Sequence, residues 1–248
     1  MGLMIDESWG FDRFADAIRG LPEAIDRANL LSKRFRLYED ERLRIYYAPF
    51  DYVNRRARLV VVGITPGFTQ MKLGYSAARR ALLDGCDRDT VLALAKQAAS
   101  FAGDMRRNLI SMLDELGLPE MLDVSSTSSL FDDRAGLLHS TSSIRYPAFV
   151  NDENYRGQQP RLLGCAVLAA FVEQQLASEL ADVDRALIVP LGKVVEGCLS
   201  HLIRSRKLEA DRCLFGFPHP SGANGHRLHQ FAEQRPQLQR TARAWFWS

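Results

Sequence analysis

The chain carries Arg58-Leu-Val-Val-Val-Gly63 and, directly after it, Ile64-Thr-Pro-Gly67, and this stretch decides the fold. A run of four aliphatic residues, 59–62, followed by a glycine predicts a short strand that is buried on both faces, as at the centre of a parallel sheet. Three more strands are predicted at residues 137–144, 186–191 and 212–217. Long helical patterns separate the strands, and parallel strands need such crossovers. We therefore predict an α/β fold with three α/β/α layers around a central, mostly parallel four-stranded sheet.

Helices are predicted wherever apolar residues recur every three to four positions. They cover residues 11–31, with Pro22 as a kink or break, and then 75–83, 90–101, 105–116, 160–180 and 226–245. Asp89 or Thr90 is the expected cap of the third helix. The Ser-rich stretch at residues 125–129 is interpreted as a loop, because the same α/β pattern continues on both sides of it. We expect one domain over residues 1–248, with residues 1–57 as an N-terminal helical extension.

The composition is that of an ordinary globular protein. The 248 residues include 32 Lys and Arg against 30 Asp and Glu, so the net charge of +2 points to no particular partner. No apolar run reaches the roughly 20 residues of a membrane span. The acidic residues Asp6, Glu7 and Asp12 argue against a signal peptide. We expect a cytoplasmic protein with no membrane partner, and a monomer is the favoured state.

The four cysteines lie too far apart in sequence to suggest a metal-binding pair. Reduced thiols are therefore expected, with no metal and no other cofactor. Basic clusters at Arg55-Arg56, Arg106-Arg107 and residues 204–207 are candidate contacts with nucleic acid, but the same pattern is typical of solvated helix ends and loops.

The turn at residues 63–67 has features of a ligand contact. Gly63 permits a sharp exit from the strand, Pro66 stiffens the turn, and Gly67 lets backbone N–H groups approach a ligand. An ordinary strand-to-helix turn has the same composition. The spacing does not match a dinucleotide-binding loop or a P-loop.

A second motif, Phe217-Pro-His-Pro-Ser-Gly-Ala-Asn224, precedes the last predicted helix. Its two prolines fix the backbone around His219, which can then donate a hydrogen bond to an oxygen of a bound ring. The Ser221 hydroxyl and the N–H groups of the Gly-rich turn can hold a phosphate. The alternative is a simple turn before the last helix, with Asn224 or Gly225-His226 as the helix cap.

Together the two motifs resemble the uracil-DNA glycosylase superfamily, which has a Gly-x-(Asn/Asp/Ala)-Pro-(Gly/Tyr) turn after its first core strand and a (His/Asn)-Pro-Ser loop before its last helix. Mismatch-specific and thymine-DNA glycosylases have Gly-Ile-Asn-Pro-Gly, which differs from this chain only at Thr65. The single-strand-selective branch has a His-Pro-Ser loop that ends in Asn, like Asn224. Residues 141–145, Thr-Ser-Ser-Ile-Arg, resemble the Thr-Asn-Val-Val-Lys segment of the thermostable branch. The resemblance spans residues 58–245.

The resemblance implies a metal-free DNA glycosylase of base-excision repair. Such an enzyme flips uracil or another deaminated or modified base out of single- or double-stranded DNA and hydrolyses its N-glycosidic bond. It implies that Thr65 stands where other members orient the attacking water, and that His219 binds an oxygen of the base and stabilises the departing anion. The implied base pocket comprises Gly63, Ile64, Pro66, Gly67, Phe68, Tyr75 and Ser142. The implied contacts with the DNA strand are Ser221, which grips a phosphate, and Gly222, Ala223, Asn224 and Arg227.

Four positions depart from the family pattern. Thr65 cannot act as a carboxylate base, although its hydroxyl can hold a water, so slow or absent excision is one expected outcome. Gly67 replaces the Tyr that bars 5-methyl groups in the strict uracil enzymes, which predicts a roomier pocket. Ser142 replaces an Asn that reads the uracil edge. Ala223 replaces a Leu wedge, so either another residue fills the vacated stack, with Arg227 and His226 nearby, or the substrate is single-stranded.

Three functions are compatible with these motifs. The first is an active DNA glycosylase, and the second is a relative that binds a nucleobase or DNA but has lost the water-activating residue. The third, a small-molecule hydrolase that uses His219 with Asp51 or Asp104, has no motif in its support. Phe68 and Tyr75 are the candidates for stacking on a flipped base, although aromatics so close to a core strand also suit packing.

Overall fold

The computed structural model describes residues 9–247, so Asp6 and Glu7 lie outside the described residues. The helices are α1 (Phe11–Arg19), α2 (Arg27–Leu30), α3 (Phe68–Leu83), α4 (Arg88–Ala99), α5 (Asp104–Glu115), α6 (Leu118–Leu122), α7 (Ala166–Ala170), α8 (Ala177–Ala181), α9 (Lys193–Arg204) and α10 (Arg227–Phe246). The strands are β1 (Arg36–Glu39), β2 (Leu43–Tyr46), β3 (Leu59–Gly63), β4 (Leu138–Ser142), β5 (Ala148–Val150), β6 (Glu153–Asn154) and β7 (Leu187–Pro190).

The chain forms two compact units and passes between them several times. Unit 1 contains the residues up to Tyr52, Thr65–Ser100 and Ile144–Gln175. Unit 2 contains Val53–Ile64, Phe101–Ser143 and the chain from Leu176 onward. The turn at residues 63–67 is therefore divided, with Gly63 and Ile64 in unit 2 and its remaining residues in unit 1.

Unit 1 contains an antiparallel sheet in the order β1-β2-β5-β6. The turn between β1 and β2 is held by the Asp40 carboxylate, which accepts hydrogen bonds from the N–H groups of Arg42 at 2.9 Å and Leu43 at 2.7 Å. Residues 36–39 and 43–46, inside the predicted helical extension, are thus strands. In β2, the buried Leu43 and Ile45 flank the half-buried Arg44, as the alternation of a strand requires.

Unit 2 contains a parallel sheet in the order β4-β3-β7. Val61, in the centre of β3, pairs with Ser140 of β4 on one side and with Val189 of β7 on the other. All five residues of β3 are buried, which confirms that the aliphatic run ending in Gly63 is a central strand. The carboxyl ends of the three strands meet at one end of this sheet, formed by Ser142, Gly63 and Pro190, which we call the carboxyl edge.

One face of the parallel sheet packs against α5, α6 and α10. Alternate residues of the strands point into this core, among them Val61 and Val189. The helices contribute Leu109, Leu113, Leu122, Phe231 and Leu238 to it. Full burial of such a side chain stabilises a fold by about 1.5–3 kcal/mol, so this cluster fixes the sheet against its helices.

The predicted fourth strand at residues 212–217 does not form. Cys213 makes a single parallel bridge to Ile188 of β7, and within residues 9–247 no other part of this segment pairs as a strand. The backbone leaves the extended region at Gly216, where φ is +97°, and Pro218 has no N–H to donate to a neighbouring strand. The prediction of one four-stranded parallel sheet is therefore corrected to three parallel strands in unit 2 and a separate antiparallel sheet in unit 1.

Each predicted helical range contains helix, but the bounds differ, and α6 was not predicted. The cap of α4 is Asp87, whose carboxylate accepts the N–H of Thr90 at 3.0 Å, rather than Asp89 or Thr90 itself. The helix predicted for residues 160–180 is not uniform, because α7 continues through a π-helical segment, Phe171–Leu176, into α8. The helix predicted for residues 11–31 is broken before Pro22, as expected, and resumes as α2.

Candidate functional site

His219 is held beside the end of β7, at the carboxyl edge of unit 2. The N–H of Gly192, which follows β7, donates to the carbonyl oxygen of Phe217 at 3.0 Å. Gly192 has a φ of +83°, and a Cβ at this position would lie 3.0 Å from the Cβ of His219. Glycine is therefore required here, because the backbone is left-handed and the histidine packs directly on it.

The loop from His219 to Asn224 is braced by side chains of its own unit. Three of them donate to its main-chain carbonyl oxygens: Asn108 to Pro220 at 2.9 Å, Asn224 to His219 at 3.2 Å and Arg227 to Ser221 at 3.1 Å. Asn224 and Arg227 therefore hold the loop in shape, and their predicted contact with a DNA strand stays a prediction. Ser221 is half-buried, and Gly222 and Ala223 are exposed.

The hydrogen bonds of His219 define its protonation. The backbone N–H of Ser221 donates to Nδ1 of His219 at 3.3 Å, so Nδ1 acts as an acceptor and carries no proton. Burial lowers the pKa of His219 below its ordinary value, because the charged ring is poorly solvated. The imidazole is therefore neutral at pH 7, with its proton on Nε2, and that nitrogen is a hydrogen-bond donor.

Gly63 and Ser142, both predicted for the base pocket, are paired at the carboxyl edge in the register of β3 and β4. A Cβ on Gly63 would lie 3.3 Å from Oγ of Ser142 and 3.2 Å from Cε1 of Phe101. Phe101 also belongs to unit 2 and was not predicted as a site residue. Its sequence position indicates only the end of a helix, whereas its backbone is left-handed, with a φ of +50°.

The hydroxyl of Thr65 is engaged by main-chain groups of unit 1. Oγ1 donates to the carbonyl oxygen of Tyr146 at 2.9 Å and accepts the N–H of Ala148 at 3.1 Å. The side chain therefore joins the turn to the start of β5. Holding a water stays a prediction for Thr65, and in this arrangement the hydroxyl has its proton and one lone pair already in use. Ile64 and Pro66, on either side of it in sequence, are half-buried.

The N–H groups after the turn are satisfied within unit 1. Gly67 donates to Oε1 of Gln70 at 3.2 Å, and Phe68 donates to Oδ1 of Asn154 at 3.0 Å. A Cβ on Gly67 would lie 3.0 Å from Oε1 of Gln70 and 3.3 Å from Nδ2 of Asn154. Glycine at position 67 therefore makes room for the two side-chain carboxamides at the start of α3. The backbone N–H groups of Gly67 and Phe68 are bonded to these carboxamides and are not open to a ligand.

The two aromatics predicted to stack on a base have different surroundings. Tyr75 is fully buried in unit 1, where its ring meets Phe35 at 4.9 Å between centroids and its hydroxyl donates to the carbonyl oxygen of Tyr47 at 2.8 Å. It is a core residue in this structure. Phe68 is half-buried at the start of α3, with the guanidinium of Arg27 5.1 Å from the centre of its ring.

Asp51 and Asp104, considered for a hydrolase, are both committed to other contacts. The Asp51 side chain in unit 1 is 11% exposed and accepts hydrogen bonds from the hydroxyls of Tyr47 and Tyr146, each at 2.6 Å. Burial raises the pKa of Asp51, and the nearby Arg145 opposes that rise. Asp104 is exposed at the start of α5 and pairs with Arg107.

The candidate basic clusters are partly neutralised. Arg55 pairs with Asp182 at 2.8 Å and Arg107 pairs with Asp104, all in unit 2. Within residues 9–247, no three His, Cys, Asp or Glu side chains are grouped to hold a metal ion, and no helix is long and apolar enough to cross a membrane.

Comparison with known proteins gives one informative match. No family model matches the chain, and no solved structure matches it. A protein of Bacillus subtilis (strain 168), described as the uncharacterized protein YoxB, is 43% identical over 233 residues, which cover 93% of this chain and 91% of YoxB. Such identity over nearly the whole of both chains means that the protein belongs to the same family as YoxB.

Proposed function

We propose that this chain binds a flipped nucleobase of DNA at the carboxyl edge of unit 2 and hydrolyses its N-glycosidic bond. The observation that supports the proposal is the setting of His219: its Nδ1 accepts the Ser221 N–H, which leaves Nε2 as the nitrogen that can donate, and its loop is braced by Asn108, Asn224 and Arg227. It includes a three-layer α/β/α arrangement around the parallel sheet, with the ligand outside the carboxyl ends of the strands, where open α/β sheets bind ligands.

Hydrolysis of an N-glycosidic bond is accelerated by a fixed hydrogen-bond donor such as the Nε2–H group of His219. When the bond between C1′ and the base nitrogen breaks, the bonding electron pair leaves with the base, and negative charge develops on its ring nitrogen and its carbonyl oxygens. A fixed N–H donor stabilises that charge in the transition state more than it stabilises the neutral base. Water then supplies a hydroxyl to C1′ and a proton to the base, so no metal or redox partner is needed.

The loop also suits a contact with the DNA strand. The Ser221 hydroxyl and the exposed backbone at Gly222 and Ala223 are available to a phosphate, a contact that positions a protein on DNA without reading sequence. Leu228, in the first turn of α10, has 69% of its surface exposed, which is a large apolar side chain left in solvent beside the loop.

The test is a panel of single- and double-stranded oligonucleotides that contain uracil, hypoxanthine, xanthine or a mismatched thymine. After incubation with the protein, alkali cleaves the strand at each abasic site. Cleavage of at least one substrate, lost in the variant His219→Ala, is the expected result. If no substrate is cleaved at high protein concentration, while salt-sensitive DNA binding persists, the glycosylase proposal is wrong.

A second candidate is a family member that binds a nucleobase or DNA without excising the base. The observation that favours it is the engagement of the Thr65 hydroxyl by Tyr146 and Ala148, since this leaves less of the side chain to orient a water. General acid–base help is typically worth about 10²- to 10⁴-fold, so its loss alone predicts slow turnover.

Replacement of Thr65 by valine separates a structural role from a catalytic one. Valine keeps the shape but loses both hydrogen bonds, so we expect the free energy of unfolding to fall by about 1–3 kcal/mol. Below the melting transition, base release should fall less than about 10-fold, far short of the loss of a water-activating group. Denaturant unfolding and single-turnover assays measure the two effects. Thr65→Ser, which retains the hydroxyl, is the control, and a loss of 100-fold or more in Thr65→Val alone would assign Thr65 to catalysis.

Leu228 offers a test of strand selectivity. If its side chain fills the gap left by a flipped base, Leu228→Ala should slow release from double-stranded DNA by about tenfold or more and leave release from single strands unchanged, because only the duplex has a stack to refill. Leu83→Ala removes another leucine, 53% exposed, from unit 1 and serves as the matched control. Equal effects of Leu228→Ala on both substrates would exclude this role.

A further inference from the structure

We propose that Phe101 is the residue that stacks on the flipped base, a role for which the sequence offered Phe68 and Tyr75; this assignment rests on the nucleobase binding in the proposed function. The ring of Phe101 lies at the carboxyl edge of unit 2, and its Cε1 would be 3.2 Å from a Cβ on Gly63. This aromatic carbon is the heavy atom nearest to that position, ahead of the Ser142 hydroxyl at 3.3 Å and the carbonyl oxygen of Thr141 at 3.8 Å.

The backbone of Phe101 points to a role beyond simple packing. Its φ of +50° is unusual for a bulky residue, and such conformations persist where the surrounding structure holds a side chain in a required place. Gly103, two residues later, has a φ of +92°, so the chain makes two left-handed steps between α4 and α5. Glycine adopts this conformation without strain, whereas at Phe101 a bulky side chain is present despite the steric strain of a left-handed backbone.

Gly63 completes the arrangement because it has no side chain. A substituent there would press against both the ring of Phe101 and the hydroxyl of Ser142. The ring is half-buried, with part of its surface packed on the core of unit 2 and part exposed. A planar heterocycle can therefore lie against an aromatic face, with a hydroxyl of Ser142 at the same edge of the sheet to meet a polar group of the base. Stacking recognises any base, so this contact provides affinity and leaves the choice of base to the polar groups.

The experiment measures the binding of free uracil and free hypoxanthine by isothermal titration calorimetry and ligand-observed NMR. Phe101→Asn removes the ring and keeps a residue that tolerates the left-handed region, and we expect it to weaken base binding by about 5- to 100-fold. Phe101→Tyr, which retains an aromatic face, should bind within about twofold of the unchanged protein. Binding of an oligonucleotide with an abasic site, which has no base to stack, should be the same in all variants.

Stability measurements separate stacking from packing. Phe246→Leu shortens another half-buried aromatic that packs on the same core, and should lower the melting temperature without changing base binding. If Phe101→Asn likewise lowers only the melting temperature, the assignment of Phe101 is overturned. Where Phe101→Asn does not fold, Phe101→Leu replaces it in the same comparison.

The outcomes also distinguish this inference from the proposed function. If the protein binds bases through Phe101 but releases none from DNA, the hydrolytic function fails and the stacking role stands. If it releases bases and Phe101→Asn does so as fast as the unchanged protein at subsaturating DNA, the stacking role fails and the function stands. If it binds neither base and releases none, both are wrong.

Discussion

Replacement of His219 by alanine is expected to lower the rate of base release by about 10²- to 10³-fold, the usual effect of removing one preorganised donor to a developing anion. The reason is the fixed Nε2 donor, which the Ser221 N–H and the burial of the ring maintain in its neutral form. Binding of the intact oligonucleotide should change little, because a neutral base oxygen gains less from this donor than the leaving anion does. Single-turnover assays at saturating protein measure the rate apart from binding.

Two comparisons make the result specific to His219. His229→Ala removes a histidine that is 78% exposed on the same unit and should leave the rate unchanged. The pH profile of the unchanged protein supplies the second comparison. The lowered pKa of His219 keeps Nδ1 unprotonated to below the ordinary value of 6.5, so release should hold its rate to below that pH. It should then decline as Nδ1 gains a proton and can no longer accept the Ser221 N–H that holds the ring in place. A His219→Ala protein as fast as the parent would remove the main support of the proposed function.

The largest effect on stability is expected from His139→Ala, which should lower the free energy of unfolding by about 3–5 kcal/mol. His139 and Glu179 form a pair in unit 2 in which each side chain is only 1% exposed, with 2.8 Å between Nε2 and Oε1. The N–H of Asn54 donates to Nδ1 of His139 at 3.3 Å, so Nε2 carries the proton that Glu179 accepts. His139→Ala leaves a cavity and removes the hydrogen bond that the buried Glu179 carboxylate accepts, and both changes destabilise the fold.

The chain contains a matched exposed pair for comparison. His229 and Glu233 on α10 are 3.5 Å apart, and their side chains are 78% and 60% exposed. Solvent screens such a pair, so His229→Ala should cost less than about 1 kcal/mol. Denaturant unfolding of both variants measures the difference. Similar small losses from the two substitutions would mean that the buried pair contributes no more than a surface contact.

The sequence predicted the parts of the fold that depend on local pattern. The run from Leu59 to Gly63 is a central buried strand, and the helical periods locate α3, α4, α5 and α10. The fourth strand at residues 212–217 failed as a prediction because its apolar residues are buried without ladder pairing, beyond the single bridge of Cys213. Apolar residues in a segment predict that it is buried. Whether the segment also pairs as a strand depends on its backbone, which here leaves the extended region at Gly216.

The candidate site was predictable only where the motif itself fixes the geometry. Two prolines predict a fixed backbone around His219, and the N–H that meets its Nδ1 belongs to Ser221, only two residues later. Tyr75 was assigned to the site from its distance in sequence after the turn, yet it lies in the core of unit 1. The position of Phe101 depends on a left-handed residue, and no periodic pattern reports a single backbone angle.

By itself, the sequence determined the central strand and the turn that ends it at Gly63, and it predicted a loop around His219 bounded by two prolines, since each of these features depends on residues next to one another in the chain. The tertiary structure alone decided which residues these segments contact. His219 packs on Gly192 at the end of β7, and the ring of Phe101 packs against Gly63. Main-chain groups of unit 1 bind the Thr65 hydroxyl. The physical reason is that hydrogen bonds and packing between segments far apart in sequence depend on the fold of the whole chain. A local sequence pattern does not specify which distant segments will lie next to it.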